Sequence, residues 1–229
     1  MDSEQVAARV EEVRERIERA RARAGRADSV TLVAVTKTHP ADAVRAVLAA
    51  GVADVGENRV QELEEKVAEV GRGAVGWHLI GHLQRNKAGK ALPLFDLIHS
   101  LDSLRLAEAI SAEAVKRGIT ARALVQVNAS GEESKGGFEP GELADAVGRI
   151  AALPGVRVEG LMTMAPFTDD ESVVRAAFRR TRELLDDAAR QVPGVGRQLS
   201  MGMSNDFEIA VEEGSTLVRV GSVLFGERG

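Results

Sequence analysis

The chain has 229 residues, 44% hydrophobic and 28% charged, with 35 acidic against 30 basic side chains and a formal charge of −5. That length holds one α/β barrel or two small domains, and with no basic stripe nucleic acid is excluded as a primary partner. With no cysteine, disulfides and thiolate metal sites are excluded; no run reaches the roughly 20 apolar residues of a membrane helix, and the charged N-terminus lacks an apolar signal core, so the expectation is a cytoplasmic protein with no membrane partner.

Residues 3–24 read as a helix, because Val6, Val10, Val13 and Ile17 recur at spacings of three and four between charges, with Gly25 as the stop. This N-terminal helix (1–25) is expected to pack on the rest and cover one end of the fold, with the charges of "RERIERARAR" as its solvated face. From there strand-like and helix-like runs alternate. "VTLVAVTK" is a strand and "PADAVRAVLAAG" a helix opened by Pro40 and closed by Gly51. "ADVGEN" and "RVQELEEKVAEV" form the second pair, "GWHLIG" and "QRNKAGKAL" the third. "FDLIHS" precedes a helix over 102–118 with Asp102 as its cap. "ARALVQVN" is followed by "EPGELADAVGRIAAL", and "RVEGLMTM" by the long "DDESVVRAAFRRTRELLDDAARQ". "RQLSMGM" with "SNDFEIAVEEG", then "TLVRVGS" with "VLFGERG", complete eight units. Eight alternating units imply a parallel sheet and a (β/α)8 barrel, with an open doubly wound sheet as the other possibility. The linkers are short and the composition does not shift, so residues 1–229 are expected to form one domain.

In such barrels the site lies at the C-terminal ends of the strands. Lys37 closes strand one, Glu57 and Asn58 strand two, Asn128 strand five, Met162 and Met164 strand six, Ser200 and Met201 strand seven, and Arg219, Gly221 and Ser222 strand eight, while His78 lies inside strand three. Alternation puts Lys37 on the face of Val33 and Val35. If that face is the barrel interior, desolvation favours the neutral, nucleophilic amine suited to a Schiff base; the alternative is a strand-end lysine snorkelling into water. The turn at Arg219, Gly221 and Ser222 offers backbone N–H groups and a hydroxyl to an anion, and "LSMGMSND", with Ser200, Gly202 and Ser204, offers a second such turn. Capping is the competing role for Ser204. Adjacent anion-binding turns after the last two strands, with a lysine on the first, point to a phosphorylated carbonyl ligand. His78 and His82, four apart on a strand, stand about 13 Å apart and hold no metal between them. "QRNKAGK" lacks the first glycine and the hydroxyl residue of a phosphate-binding P-loop. "GEESKGGF" (131–138) reads as a surface loop whose Lys135 is a further candidate for an anion.

The stretches "AVTKTHP", "GENRVQE", "WHLIGHLQRNK", "HSLDS", "VNASGEESKGGF", "GLMTMAP" and "LSMGMSNDFEIAVEEGSTLVRVGSVLFGER" together resemble the pyridoxal phosphate homeostasis protein family, stand-alone barrels similar to the N-terminal domain of alanine racemase. The resemblance implies that Lys37 carries pyridoxal 5'-phosphate (PLP) as an internal aldimine and that Ser200, Gly221 and Ser222 hold the phosphate. It also implies that Arg219 and Asn58 lie beside the ring, with Met201, Ser204 and His78 as further cofactor-binding residues. Two positions depart from the family: the second lysine of its Lys-Thr-Lys is His39 here, and its frequent threonine at the last turn is Ser222, which keeps the hydroxyl. An arginine facing the pyridine nitrogen weakens the ring as an electron sink, and this chain has no tyrosine to serve as the second base of a racemase. The expectation is therefore a monomeric PLP-binding protein of vitamin B6 homeostasis without robust catalysis, with PLP-dependent apo-enzymes as candidate recipients. The alternative is a small PLP enzyme with weak racemase or lyase activity.

Overall fold

The computed structural model describes residues 2–132 and 136–226. Eight parallel strands close into a barrel in sequence order: β1 (Thr31–Val35), β2 (Asp54–Glu57), β3 (Gly76–Leu79), β4 (Leu97–Leu101), β5 (Ala121–Gln126), β6 (Val156–Met162), β7 (Gln198–Ser200) and β8 (Leu217–Val220). The ladder of β8 on β1, with Val33 opposite Arg219, closes the ring and rules out an open sheet. The fold is thus the (β/α)8 barrel.

The helices are α1 (Ser3–Arg23), α2 (Ala41–Ala49), α3 (Val60–Val70), α4 (Ala88–Ala91), α5 (Leu104–Arg117), α6 (Leu143–Ala151), α7 (Glu171–Gln191), α8 (Phe207–Glu212) and α9 (Ser222–Phe225). The helix expected over 84–92 is a 3₁₀ turn at Arg85–Lys87 running into α4. Asp102 is not the cap of α5: Ser103 is, its hydroxyl accepting from the Leu106 N–H, while Asp102 pairs with His82 at 2.8 Å. Asp102 thus uses its carboxylate in the β3–β4 region, and the next hydroxyl takes the helix end.

Helix α1 does not cover an end of the barrel. It packs against α2, α8 and α9, so it stands in the outer ring beside the four-residue α9, where an eighth long helix would otherwise be needed. Its apolar stripe of Val6, Val10, Val13, Ile17 and Ala20 is buried there. Nor are the charges of "RERIERARAR" all solvated. Arg14 donates to the carbonyls of Ala50 and Gly51, Arg16 pairs with Glu208, and Arg23 with Glu212. Among the described residues no helix is long and apolar enough to cross a membrane.

Two cores result. The larger lies between the barrel and its helices and contains Trp77, Leu63, Phe178 and Phe207. The smaller lies inside the barrel, where Val33, Leu97, Leu124, Met162 and Leu217 meet. A bulge between β5 and β6 leaves Glu159 unmatched, with Ala123 opposite Val158 and Leu124 opposite Gly160. Gly160 sits at φ +145°, and a Cβ there would lie 1.9 Å from the Gln198 carbonyl oxygen, so β7 approaches only because this position is glycine.

Candidate functional site

Strand β1 ends at Val35, and Lys37 stands two residues beyond it, half-buried, rather than inside the strand. The Thr36 N–H still donates to the Gly56 carbonyl at 3.1 Å, but the chain then turns sharply. Thr38 takes φ +67°, a left-handed conformation that costs an ordinary residue about 1–2 kcal/mol. Three contacts hold it there. The His39 N–H donates to the Thr36 carbonyl at 3.0 Å, the Thr38 N–H donates to Glu62 Oε2 at 3.1 Å, and the His39 ring packs on Phe225 at 4.8 Å between centroids.

Beneath this turn lies a buried ion pair. Lys66 Nζ donates to Glu57 Oε1 and, at 2.7 Å, to the Thr36 carbonyl, and the Thr36 hydroxyl donates to the same carboxylate. Glu57 is 0% and Lys66 5% exposed. Burial pushes the Glu57 carboxyl above the ordinary range while the Lys66 charge pulls it back. The residue before Lys37 is thereby tied to β2 and α3 at once.

Across the barrel mouth, β8 brings in Arg219, which is 4% exposed. Its guanidinium donates to Ser200 Oγ at 2.5 Å and to the Thr163 carbonyl at 3.0 Å. Burial pushes its pKa down to about 10, with Asp206 acting in the opposite sense, so it remains cationic at neutral pH. Gly221 follows: a Cβ there would lie 3.2 Å from Val35 Cβ, so strand eight meets strand one closely at this point. Its N–H donates to Ser204 Oγ at 3.3 Å, and Ser222 is exposed beside it. The loop carrying Ser204 is held by Asp206, whose carboxylate accepts from the Met203 N–H at 2.6 Å.

These groups surround one cavity of about 720 Å³, lined by Lys37, Ser204, Arg219, Gly221 and Ser222 from the sequence-predicted set. It is of the size of an ordinary cofactor pocket. Val35, Ile80, Met164 and Val174 give it apolar walls, and His39, Asp206 and the segment from Ala165 to Asp169 extend it outward. An amine, two hydroxyls, a backbone N–H region free of side chain and a buried guanidinium make a donor set suited to a small phosphorylated aldehyde.

Four predicted residues do not reach the cavity wall. Met201 is buried in the outer core. Asn58 is half-buried, with its backbone against Gly81, where a Cβ would fall 2.4 Å from the Asn58 carbonyl. His78 lies deep in the barrel, bonded to His99 and Asp54. Ser200 is 0% exposed and its hydroxyl is engaged by Arg219 and His99. Lys135 lies outside the described residues. Sequence reasoning noted His39 only as a departure from the family's second lysine, and missed Asp206, which with His39 lines the cavity, and His99, which is fully buried beneath it. A histidine in the apolar run "FDLIHS" was the available signal for the last.

Residues 9–229 match the family described as alanine racemase, N-terminal domain. The pyridoxal phosphate homeostasis protein of Aquifex aeolicus is 43% identical over 96% of this chain and 97% of its own length. Among solved structures, an unknown protein from Bifidobacterium adolescentis superposes with a TM-score of 0.92 at 42% identity, covering 98% of this chain and 97% of that one. PipY of Synechococcus elongatus PCC7942, solved with PLP bound, superposes at 0.85 with 38% identity, covering 96% of this chain and all of that one. The chain belongs to the alanine racemase N-terminal domain family and, within it, to the pyridoxal phosphate homeostasis proteins.

Proposed function

We propose that this protein binds pyridoxal 5'-phosphate in the cavity at the mouth of the barrel and takes part in keeping the intracellular pool of that cofactor in balance. The observation that carries the reading is the meeting of the Lys37 amine, the Ser204 and Ser222 hydroxyls and the Arg219 guanidinium around one cavity. The names of its relatives and the PLP-bound PipY structure support it. When bound, the cofactor supplies an electrophilic aldehyde carbon and an electron-withdrawing ring.

Each side chain then has a distinct task. Lys37 provides the amine for the aldehyde, held at the cavity by the Thr36–Thr38 turn. The Gly221 N–H and the hydroxyls of Ser204 and Ser222 would hold the phosphate, with glycine leaving room for close approach. Arg219, the buried cation of the cavity, would serve the ring nitrogen and, being cationic, would disfavour its protonation. Such a site retains the cofactor but offers little help to a carbanion, and the chain carries no tyrosine as a second base. The protein therefore holds and releases the cofactor rather than turning over substrate, acting as a single-domain monomer in the cytoplasm and passing PLP to apo-enzymes.

The test is direct. Purified protein mixed with PLP becomes yellow, and borohydride fixes the cofactor to one tryptic peptide, that of Lys37. A reducible adduct of equal yield in Lys37→Ala, mapped to any other lysine, defeats the assignment.

A further inference from the structure

Five side chains from five strands form one hydrogen-bonded line through the barrel interior. Asp54 Oδ1 lies 3.1 Å from His78 Nε2, His78 Nδ1 2.9 Å from His99 Nε2, and His99 Nδ1 2.7 Å from Ser200 Oγ. Ser200 Oγ in turn lies 2.5 Å from Arg219 Nη1. The line starts at the N-terminal end of β2, where Asp54 is partly exposed, and ends at the cavity, with His78, His99 and Ser200 all buried between.

Elementary accounting sets its direction. A guanidinium only donates and a carboxylate only accepts. Asp54 therefore accepts from His78 Nε2–H, and Ser200 Oγ accepts from Arg219. With His78 in its neutral form, its Nδ1 is bare and accepts from His99 Nε2–H. His99, neutral in turn, has a bare Nδ1 that takes the Ser200 hydrogen. A charged His78 would reverse the two middle bonds and leave Ser200 Oγ, with its two lone pairs, accepting from both neighbours; the neutral line is the arrangement in which every hydrogen has a partner. Independently, burial and the nearby His78 and Arg219 hold the His99 imidazole well below its ordinary pKa. With a donor-only group at the cavity end, the line orients groups and does not conduct protons.

We infer that Ser200, His99 and His78 are positioning residues for Arg219: the polarised line commits the serine oxygen to the guanidinium and so fixes the face that Arg219 turns to the cavity. This rests on the reading of the cavity as a PLP site and refines it, because it assigns Ser200 to the arginine and withdraws it from the phosphate. His99 and His78 act through Ser200 and touch no ligand.

Two experiments test it, one without any ligand. Long-range ¹⁵N NMR of the free protein reads the tautomer of each ring, and both histidines are expected as neutral Nε2–H forms at neutral pH. An Nδ1–H ring or an imidazolium at either position overturns the line, whatever the protein binds. The second compares affinity for PLP with affinity for pyridoxal, which lacks the phosphate. Ser200→Ala is expected to weaken both by the same factor, about tenfold for a lost hydrogen bond to a charged group, and Ser200→Thr to restore both. His99→Leu is expected to weaken both by a smaller factor, and His99→Gln, whose amide both accepts and donates, to recover part of it. A loss confined to PLP would mean that Ser200 serves the phosphate, and unchanged affinity for both ligands in Ser200→Ala would mean that it serves neither; each overturns the inference. If wild type binds neither compound, the PLP reading itself fails, while the tautomers still judge the line.

Discussion

Replacing Lys66 with methionine isolates the buried pair under the Lys37 turn. The substitution keeps most of the volume and removes the ammonium that serves both Glu57 and the Thr36 carbonyl. Glu57 is then left fully buried with the Thr36 hydroxyl as partner, and its second oxygen, Oε2, has none even with Lys66 present. The cheapest response is for Glu57 to fold protonated. Forcing a proton onto a carboxyl costs about 1.4 kcal/mol for each pH unit above its unfolded pKa of about 4.3, which gives about 3.7 kcal/mol at pH 7. That agrees with the roughly 3–5 kcal/mol seen when one partner of a buried pair is removed.

The sign of the pH dependence follows from the same step. A carboxyl whose folded pKa is raised contributes its stability below the unfolded value and loses it as pH rises through the folded one. The gap between wild type and Lys66→Met should therefore shrink as pH falls from about 7 towards about 5, by up to about 1.4 kcal/mol per unit. Urea unfolding is read conveniently from Trp77, the one tryptophan, which is buried in β3. Glu57→Gln combined with Lys66→Met removes both charges and should recover most of the loss. A cost near zero at pH 7, a cost that does not change with pH, or a double variant no better than the single one would refute the reasoning.

Ser222→Ala should lower PLP affinity about tenfold in equilibrium dialysis, through loss of a hydrogen bond to a charged group, while Ser222→Thr stays close to wild type; equal affinity for Ser222→Ala would remove this residue from the phosphate site. Gly160→Ala, which sets a methyl group against the Gln198 carbonyl, should cost about 4 kcal/mol or more and yield little folded protein; a normal melting curve would show that the β6–β7 contact is looser than described. Wild type should give little Cα hydrogen exchange with amino acids, and Arg219→Glu, where it folds and binds PLP, should give more, because an acid there favours a protonated ring. Brisk exchange by wild type that falls in Arg219→Glu would make the protein an enzyme and Arg219 part of its catalysis.

The alternation of runs was enough to count eight strands and to favour a closed ring over an open sheet, because each unit carries its own apolar period and its own stop; the ladder of β8 on β1 closes it. It was not enough to place the strand ends. "VTLVAVTK" continues the apolar period to Thr36, but Lys66 and Glu57, from the next unit, capture Thr36, and Thr38 turns left-handed. Nothing local to the strand signals either event. The site divides along the same line. Lys37, Ser204, Gly221 and Ser222 lie past the ends of their strands and line the mouth, whereas Asn58 and Met201, also just past strand ends, do not. Ser200, His78 and Arg219 are strand residues, and for these the sequence shows the alternation of faces but not the depth. Depth is set by the stagger between strands that a closed barrel imposes. Here it aligns Val33 with Arg219 and Ser200 with Leu217, so Arg219 reaches the cavity while Ser200 lies one step lower, against His99. A serine at the end of strand seven therefore looks like an anion ligand in one dimension and is the rest on which the arginine leans in three.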